Sequence, residues 1–331
     1  MELLTEEELM VSPPSLKAES MFSLNKTTVQ QMVENREKYR KANPGYEKTL
    51  MNRVIGLSGY EKPATKVDAI FSGRDQRTGY TIEKYLVKGG GSYYLPVLWL
   101  KPSQASTKTI LYLDDQGKSI AAHTGGTVEQ LVRNGYEVVV PDLSGIGELG
   151  PGNIPGGDAL IDGAPLNLWF MGLLVQKNLV AVRAEEIAVL SYFIKHTKTD
   201  ATVLGAVASG TLTADLLHAA AIDNPFQRLV LHNPLVSYLS IAEERLYKPK
   251  FIISAVPGAL PLYDLPDLVH RLSTQRLLLA NPVTAADREV GPSQTEALYG
   301  RSIQKEHPEN FSVMIGLRPD DWLPVLLKWL D

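Results

Sequence analysis

From residue 109 onward, short apolar runs alternate with longer segments that have the composition of helices. The predicted strands are 109–113, 137–141, 201–205, 228–232, 276–281 and 312–316, and the predicted helices are 127–134, 181–196, 211–222 and 322–330. Several of these strands are continuously apolar, which is typical of parallel strands covered on both faces. Repeated strand–helix units joined by right-handed crossovers predict an α/β fold with a mostly parallel central sheet and helices on both faces.

The chain before residue 109 has a different character. Residues 1–50 are polar, contain Pro13-Pro14, and are predicted to form a lead-in or linker with one charged helix at 27–42. Glycine-containing turns then separate three strand-like runs at 67–71, 80–88 and 93–100. These runs predict an antiparallel meander at the beginning of one domain that covers residues 51–331.

Residues 144–180 are rich in glycine and proline, and then in apolar residues. We expect them to form a cap or insertion over the carboxyl edge of the sheet. Open α/β sheets place their ligand sites along that edge.

The stretch 201–215 reads ATVLGAVASGTLTAD and predicts a strand that turns sharply through small residues into a helix. In the pattern G-x-S-x-G, such a turn presents a serine nucleophile at the middle position. Gly205 takes the first position and Ser209 the last, with Gly210 following, so the middle position falls on Val207. Because valine has no nucleophilic atom, the stretch predicts a fold together with the loss of its usual chemistry.

This order of elements resembles the α/β-hydrolase fold. Residues 138–150 (VVVPDLSGIGELG) look like the loop after the fourth strand of esterases. Residues 257–268 (PGALPLYDLPDL) and 276–282 (RLLLANP) resemble the sixth- and seventh-strand regions of bacterial acetyl xylan esterase-like carbohydrate esterases. The resemblance spans about residues 50–331, and residues 20–32 look like the beginning of a second lobe found in some members of that group.

That resemblance implies a context for the chain. The group acts on acylated or uronate-bearing plant polysaccharides, so the implied partners are a carbohydrate ligand and a second esterase lobe or domain. It also implies a periplasmic or extracellular location, whereas the first ten residues lack the features of a signal peptide.

The resemblance further implies a serine, an acid and a histidine in that chain order. Ser209 is the nearest substitute for the nucleophile, with closing the turn or capping the next helix as its alternative role. Asp287 matches the position of the acid, with a solvated loop carboxylate as the alternative. No histidine follows the last strand, since His307 precedes it; His232, at the end of the sixth strand, is the best placed of the others.

Carboxylates replace the N–H donors that an esterase would present after the first strand of the alternating region. Residues 113–119 read LDDQGKS, and Asp114 and Asp115 would oppose a developing oxyanion. These two, with Asp142 and Glu148, could instead bind a hard cation or act as an acid–base pair. The alternative for Asp142 is that it accepts backbone hydrogen bonds from its own loop.

Aromatic residues are the other candidates for a ligand cleft. Trp169, Phe170, Tyr263 and Trp322 could stack on sugar rings near the turn, or could pack as core. The segment around Asp264 has an architectural interpretation, in which Asp264 and Asp267 fix a turn and a helix start.

Composition excludes several classes of function. The net charge of −4 leaves no basic excess for nucleic acid, and no apolar run approaches the roughly 20 residues of a membrane span. The absence of cysteine excludes disulfides, thiol nucleophiles and cysteine-bound zinc. No dinucleotide or phosphate-binding motif occurs, so no cofactor or metal is predicted.

Three functions remain after these exclusions. The first is a non-catalytic α/β-hydrolase-like domain, a lobe of a larger polysaccharide-processing protein with a structural or carbohydrate-binding role. The second is an active acetyl or glucuronoyl esterase with a displaced Ser/His/Asp triad. The third is a carboxylate-based enzyme that uses Asp114, Asp115 and Asp142.

Overall fold

A nine-stranded mixed sheet organises the chain in this computed structural model, which describes residues 4–11, 19–151, 160–200, 203–302 and 309–331. Its strands are β1 (Ala69–Arg77), β2 (Tyr80–Lys88), β3 (Tyr94–Pro102), β4 (Lys108–Leu113), β5 (Glu137–Pro141), β8 (Val203–Ser209), β9 (Arg228–His232), β10 (Arg276–Ala280) and β11 (Phe311–Met314). A separate two-stranded hairpin consists of β6 (Leu160–Ile161) and β7 (Ala164–Pro165).

The spatial order of the sheet is β1-β2-β3-β5-β4-β8-β9-β10-β11. Strands β1, β2, β3 and β5 pair antiparallel with their neighbours, and β5, β4, β8, β9, β10 and β11 pair parallel. The predicted mostly parallel sheet with an antiparallel N-terminal meander is confirmed.

Helices cover both faces of the sheet. In chain order, the helices in the described ranges are α1 (Met21–Ala42), α2 (Tyr46–Ser58), α3 (Lys118–Ala121), α4 (Thr127–Arg133), α5 (Leu166–Leu174), α6 (Leu179–Thr197), α7 (Leu212–Ile222), α8 (Tyr238–Glu243), α9 (Leu265–Leu272), α10 (Pro292–Tyr299) and α11 (Pro319–Leu330). None of them is both long and apolar enough to cross a membrane.

The alternation of side chains along β8 divides the core into two layers. Ala206 and Ala208 belong to the larger layer, which α6 and α7 cover. Val207 belongs to the smaller layer on the other face, together with residues of α4 and α11. Small residues on β8 therefore allow helices to pack closely on both sides of the sheet centre.

The N-terminal region differs from its prediction in where its first helix begins and in having a second helix. Helix α1 begins at Met21, earlier than predicted, because Ser20 and Ser23 form a reciprocal capping box. Helix α2 was not predicted, and it crosses the boundary placed at residue 50. Its residues Tyr46, Leu50 and Val54 are buried in the larger core layer.

The region predicted as a cap contains the β6–β7 hairpin and α5. Residues 152–159 of that region lie outside the described residues. The segment that follows α5 is attached to the body of the domain, since the backbone N–H of Asn178 donates to the carbonyl of Ser58 at 3.0 Å.

Candidate functional site

A cavity of about 610 Å³ opens at the carboxyl ends of the parallel strands. This edge is where open α/β sheets bind ligands. The cavity brings together seven predicted residues from five separate segments of the chain, namely Asp114, Asp115, Ser209, Gly210, His232, Asp287 and Trp322.

A second cavity of similar volume is a weaker candidate. Its described lining comes from residues 61–68, the turn between β2 and β3, and one face of α6, rather than from the ends of the parallel strands. Several of its charged side chains already pair with one another or with neighbours, as Lys177 does with Glu185 at 3.1 Å and Lys62 with Asp223 at 2.6 Å.

The turn between β8 and α7 is built around Gly210, whose φ is +60°. Left-handed backbone of this kind favours glycine, because a side chain would crowd the following carbonyl. Val207 does not lie on the turn: it is fully buried within β8, opposite Tyr112 of β4 and Val230 of β9. The prediction that Val207 occupies the nucleophile position is therefore wrong, and the residue on the turn is Gly210.

Gly205, which suggested the wrong alignment, has a packing role within the strand. A Cβ there would lie 2.9 Å from Cδ1 of Ile110 and 3.2 Å from Cδ2 of Leu330. Glycine therefore allows the sheet and α11 to approach each other at this point.

The space beside Gly210 is filled by the carboxylate of Asp115. A Cβ built on Gly210 would stand well inside van der Waals contact of both the carboxyl carbon and Oδ2 of Asp115. The same Oδ2 accepts hydrogen bonds from the backbone N–H of Thr211 at 2.9 Å and from its hydroxyl at 3.3 Å. Asp115 thus supplies a capping carboxylate to the positive N-terminal end of α7.

Ser209 is the last residue of β8 and lies at the wall of the cavity. Burial raises the pKa of the nearby Tyr112 to about 12, and the Ser209 side chain acts in the opposite direction. Within the described residues it makes no hydrogen bond with His232, although the two residues are partners in the register of β8 and β9. The alternative prediction that Ser209 caps the following helix is not met either, because Asp115 does so.

His232 stacks on Trp322 of α11, with ring centroids 4.2 Å apart and an angle of 19° between the planes. Burial lowers the pKa of the imidazole, so the ring is neutral at pH 7. Trp322 therefore reaches the cavity as one of the predicted aromatic residues. His307, the other histidine near the last strand, lies outside the described residues.

Asp287 lines the cavity, where its Oδ2 accepts a hydrogen bond from Nζ of Lys250 at 2.7 Å. The predicted acid thus pairs with a lysine that the sequence did not single out. A second basic lining residue, Arg183, is fully buried and pairs with Asp215 of α7 at 3.3 Å. No local sequence pattern indicated either cation, because each is more than 30 residues away in sequence from the carboxylate with which it pairs.

Asp114 is the second carboxylate at the end of β4, and its Oδ1 accepts the N–H of Gln116 at 2.9 Å. Burial raises the pKa of Asp114, and the neighbouring Asp115 raises it further, against the effects of that N–H and of His123. Neither Asp114 nor Asp115 forms an ion pair with the described residues.

Four predicted cleft residues do not line the cavity, namely Asp142, Trp169, Phe170 and Tyr263. Asp142 is buried beside Lys118, whose N–H and Nζ donate to its two oxygens at 2.7 and 2.6 Å. Trp169 packs against the small cluster of Ala164, Leu179 and Ile253, and Tyr263 is fully buried with its hydroxyl 3.0 Å from Nε2 of His218. Distant partners thus hold Asp142 and Tyr263 in the interior, whereas Trp169 is only partly buried and Phe170 is exposed on α5.

The alternative role for Asp142 agrees with its contacts, since its Oδ2 also accepts the N–H of Glu148 at 2.9 Å. The three-carboxylate site of Asp114, Asp115 and Asp142 therefore does not form. Among the described residues, no group of three or more histidines and carboxylates is arranged to hold a metal ion.

Comparison with known proteins identifies the fold. No protein-family model and no curated protein matches the chain. Among solved structures, a putative acetyl xylan esterase from Bacteroides fragilis aligns with a TM-score of 0.67 at 14% identity, over 92% of this chain and 84% of that one. The chain has the α/β-hydrolase fold.

Other neighbours agree on this architecture. An acetyl xylan esterase from Paenibacillus sp. R4 has a TM-score of 0.56 at 14% identity, over 96% of both chains. A glucuronoyl esterase from Solibacter usitatus has a TM-score of 0.57 at 12% identity, over 86% of this chain and 91% of that one. The structural neighbours are thus carbohydrate esterases, as the sequence resemblance implied.

The fold gives the contact at Gly210 a chemical meaning. In α/β hydrolases the nucleophile stands on this turn, and the N–H of the next residue stabilises the oxyanion. Here that N–H belongs to Thr211 and already donates to Asp115. The carboxylate of Asp115 therefore fills the space beside Gly210 and already accepts this N–H.

Proposed function

We propose that this chain is a non-catalytic α/β-hydrolase-like domain that binds a carbohydrate in the cavity at the carboxyl edge of its sheet. In this proposal it is one lobe of a larger polysaccharide-processing protein. The observation that carries the proposal is the contact of Asp115 with Gly210 and Thr211. A serine mechanism needs a nucleophile and a free oxyanion donor at the place where this carboxylate lies.

The cavity lining supports a neutral, hydroxyl-rich ligand. Asp114, Asp115 and Ser209 can accept hydrogen bonds from ligand hydroxyl groups, and Asn233 can both donate and accept. Trp322 and its stacked partner add an apolar wall. That mixture of polar acceptors and aromatic surface is what ligand pockets use to orient a small molecule.

The first experiment measures hydrolysis of 4-nitrophenyl acetate by the wild type and by Ser209→Ala. We expect both proteins to show the same rate, close to that of the buffer. Turnover by the wild type that Ser209→Ala abolishes would overturn the non-catalytic proposal.

The second experiment measures binding of xylo-oligosaccharides, with and without acetyl groups, by titration calorimetry. We expect binding by the wild type and an approximately tenfold loss of affinity in Asp114→Asn, since one charge-assisted hydrogen bond is weakened. Asp75→Asn is the matched control, because Asp75 is exposed on β1 and pairs only with Lys84 in the described residues. Equal affinities of the two variants would remove the cavity from the proposal.

An active esterase with a displaced triad is the second candidate function. The observation in its favour is that Ser209 and His232 are register partners on adjacent strands and both line the cavity. The displaced triad would need Asp287 to leave Lys250 and orient the histidine. The comparison of wild type with Ser209→Ala distinguishes this function from the first.

A further inference from the structure

Helix α5 is apolar on every side, yet half of it faces solvent. Its sequence LNLWFMGLL contains no charged residue and a single polar side chain, Asn167. A helix that is apolar all round is normally buried. The inward side carries Leu166 and Trp169, which pack against the cluster of Ala164, Leu179 and Ile253.

The outward side of α5 and the hairpin strand β6 both expose apolar side chains, which together we call the α5 patch. Phe170 and Leu174, and likewise Met171 and Val175, are four residues apart and therefore share one side of the helix. Their exposed fractions are 54%, 85%, 65% and 72%, and Leu160 and Ile161 of β6 add 56% and 48%. Scattered exposed apolar residues are ordinary, but four on one side of a single helix mark an interaction surface.

The patch is held in place rather than loosely attached. Beyond α5 the chain turns through Gln176, whose φ is +55° and whose carbonyl packs on Gly59 at the end of α2. Asn178 then donates its side-chain amide to the carbonyl of Ala255 at 3.2 Å. A rigid surface loses little conformational entropy when it is covered.

We propose that the α5 patch is the contact through which two copies of this chain associate around a two-fold axis. A two-fold contact requires a surface that is complementary to itself. The chain has a net charge of −4, so most of its surface would repel a second copy. Helix α5 carries no charged residue, and two copies can therefore meet there without like charges facing each other. At about 150–200 Å² for each large apolar residue, the exposed fractions amount to roughly 600–700 Å² per copy, close to the roughly 800 Å² per partner of a stable interface.

The hairpin connects this contact to the cavity. Asp162 and Gly163, between β6 and β7, line the cavity, and Leu160 and Ile161 beside them belong to the patch. Association of two copies therefore takes place next to the cavity mouth. The proposal does not depend on whether that cavity is catalytic.

Sedimentation velocity of the full chain between about 1 and 100 µM tests the proposal. We expect the wild type to sediment as a dimer and Leu174→Glu to sediment as a monomer, with at least a hundredfold weaker association. Leu246→Glu is the matched control, because Leu246 is 82% exposed outside the patch, and it should remain dimeric. Circular dichroism checks that both variants are folded, and Met171→Gln provides a second, milder variant if Leu174→Glu does not fold.

A cysteine variant identifies the surface independently. The chain has no cysteine, so Leu174→Cys introduces a single thiol. Spin labels on two associated copies should give a measurable inter-chain distance distribution. Adding Met171→Gln to the labelled variant should reduce the amplitude of that signal. A wild type that stays monomeric up to 100 µM overturns the proposal, whether the patch then contacts a different chain or a membrane surface. A dimer that Leu174→Glu leaves intact overturns it as well.

Discussion

At residue 210 the chain lacks a side chain, and at residue 115 it has a carboxylate that fills the resulting space. The two features depend on each other, because a Cβ on Gly210 and the carboxyl group of Asp115 cannot occupy their present positions together. The hydrogen bond from Thr211 to Asp115 then determines which atom meets the positive end of α7. One pair of residues thus accounts for both the shape and the electrostatics of the turn.

Gly210→Ala tests this dependence. We expect it to lower the free energy of unfolding by about 2–4 kcal/mol, through left-handed strain and the clash with Asp115. Gly125→Ala is the control, because Gly125 has a φ of +81° but nothing within 4 Å of the added Cβ, and it should cost about 1 kcal/mol.

Urea unfolding of Gly210→Ala, Asp115→Ala and the double variant completes the cycle. The double variant should be more stable than the sum of the single changes predicts, by about 1–3 kcal/mol, because the clash disappears when the carboxylate is removed. Strict additivity would mean that the two side chains do not compete for the same space.

Asp215 gives the stability of the fold a pH dependence. Burial raises the pKa of Asp215 to about 7, against the opposing effect of Arg183. Because the pKa in the folded state exceeds the unfolded value of about 3.9, the stabilisation is fully present below about pH 4 and is lost as the pH rises through about 7.

Asp215→Asn removes this titration. Between about pH 5 and about pH 8, the free energy of unfolding of the wild type should fall relative to that of the variant, by roughly 1–3 kcal/mol. Urea titrations at both pH values measure the difference, and Asp320→Asn, which changes an exposed carboxylate, should leave it unchanged. Parallel pH profiles for wild type and Asp215→Asn would contradict the assignment.

At the level of elements, the chain uses the same capping device in two environments. Helix α1 begins with the exposed box of Ser20 and Ser23, and α9 begins with the box of Asp264 and Asp267, which is buried. Asp264 also accepts the N–H groups of Tyr238 and Leu265, each at 2.7 Å. The buried box therefore joins α8 to α9, whereas the exposed one only begins a helix.

Asp264→Ala should lower the melting temperature far more than Ser20→Ala does. Loss of the buried carboxylate leaves several donors unsatisfied and should cost about 3 kcal/mol. Loss of an exposed cap costs about 1 kcal/mol or less. Thermal unfolding followed by circular dichroism compares the two variants, and similar shifts would show that Asp264 has no role beyond local capping.

Elements with a strong local signal were predicted closely from the sequence. Strands β2, β5 and β9 have the predicted bounds, and the helix start at Asp264 and Asp267 is confirmed. The turn at Gly210 was misplaced because residues 205–210 are all small, apart from one valine, so that nothing local indicates where the strand ends. Helices α2 and α5 were missed because the surfaces against which their apolar residues pack come from distant parts of the chain, so the local sequence does not show which side of each helix is buried.

For the whole molecule, the cavity could be placed but its lining could only partly be predicted. Strand ends bring Asp114, Asp115, Ser209 and His232 together, and the strand order implied by the resemblance contains that information. Whether a given side chain points into the cavity depends on distant partners. Tyr263 turns to His218 and Asp142 to Lys118, and sequence periodicity contains no trace of either pair.

The structure also suggests where the domain begins, and we propose a boundary between α1 and α2. Helix α1 buries only Arg36 among its residues, and it is attached through hydrogen bonds from Arg36 to the carbonyl of Leu260 at 3.0 Å and from Arg40 to the buried carboxylate of Asp267 at 3.3 Å. Helix α2 contributes five buried residues, among them Tyr46 and Leu50.

Truncated chains test this boundary. A chain that begins at residue 43 should fold and lose about 2–4 kcal/mol, since the buried Arg36 and the Arg40 partner of the buried Asp267 are both removed. A chain that begins at residue 59 should fail to fold, because its core would lack the buried side of α2. Circular dichroism and urea unfolding of both chains provide the measurement; equal stability would place the boundary after α2.

The contact between Gly210 and Asp115 also restricts the order in which mutations can accumulate. A chain that acquires a serine at position 210 while it keeps Asp115 passes through an overcrowded, destabilised intermediate. A chain that first replaces Asp115 with a small residue leaves the N–H of Thr211 without its acceptor and has no catalytic gain to offset the loss. Each single substitution lowers stability without restoring activity. A descendant of this sequence would therefore need both substitutions together to place a serine at position 210.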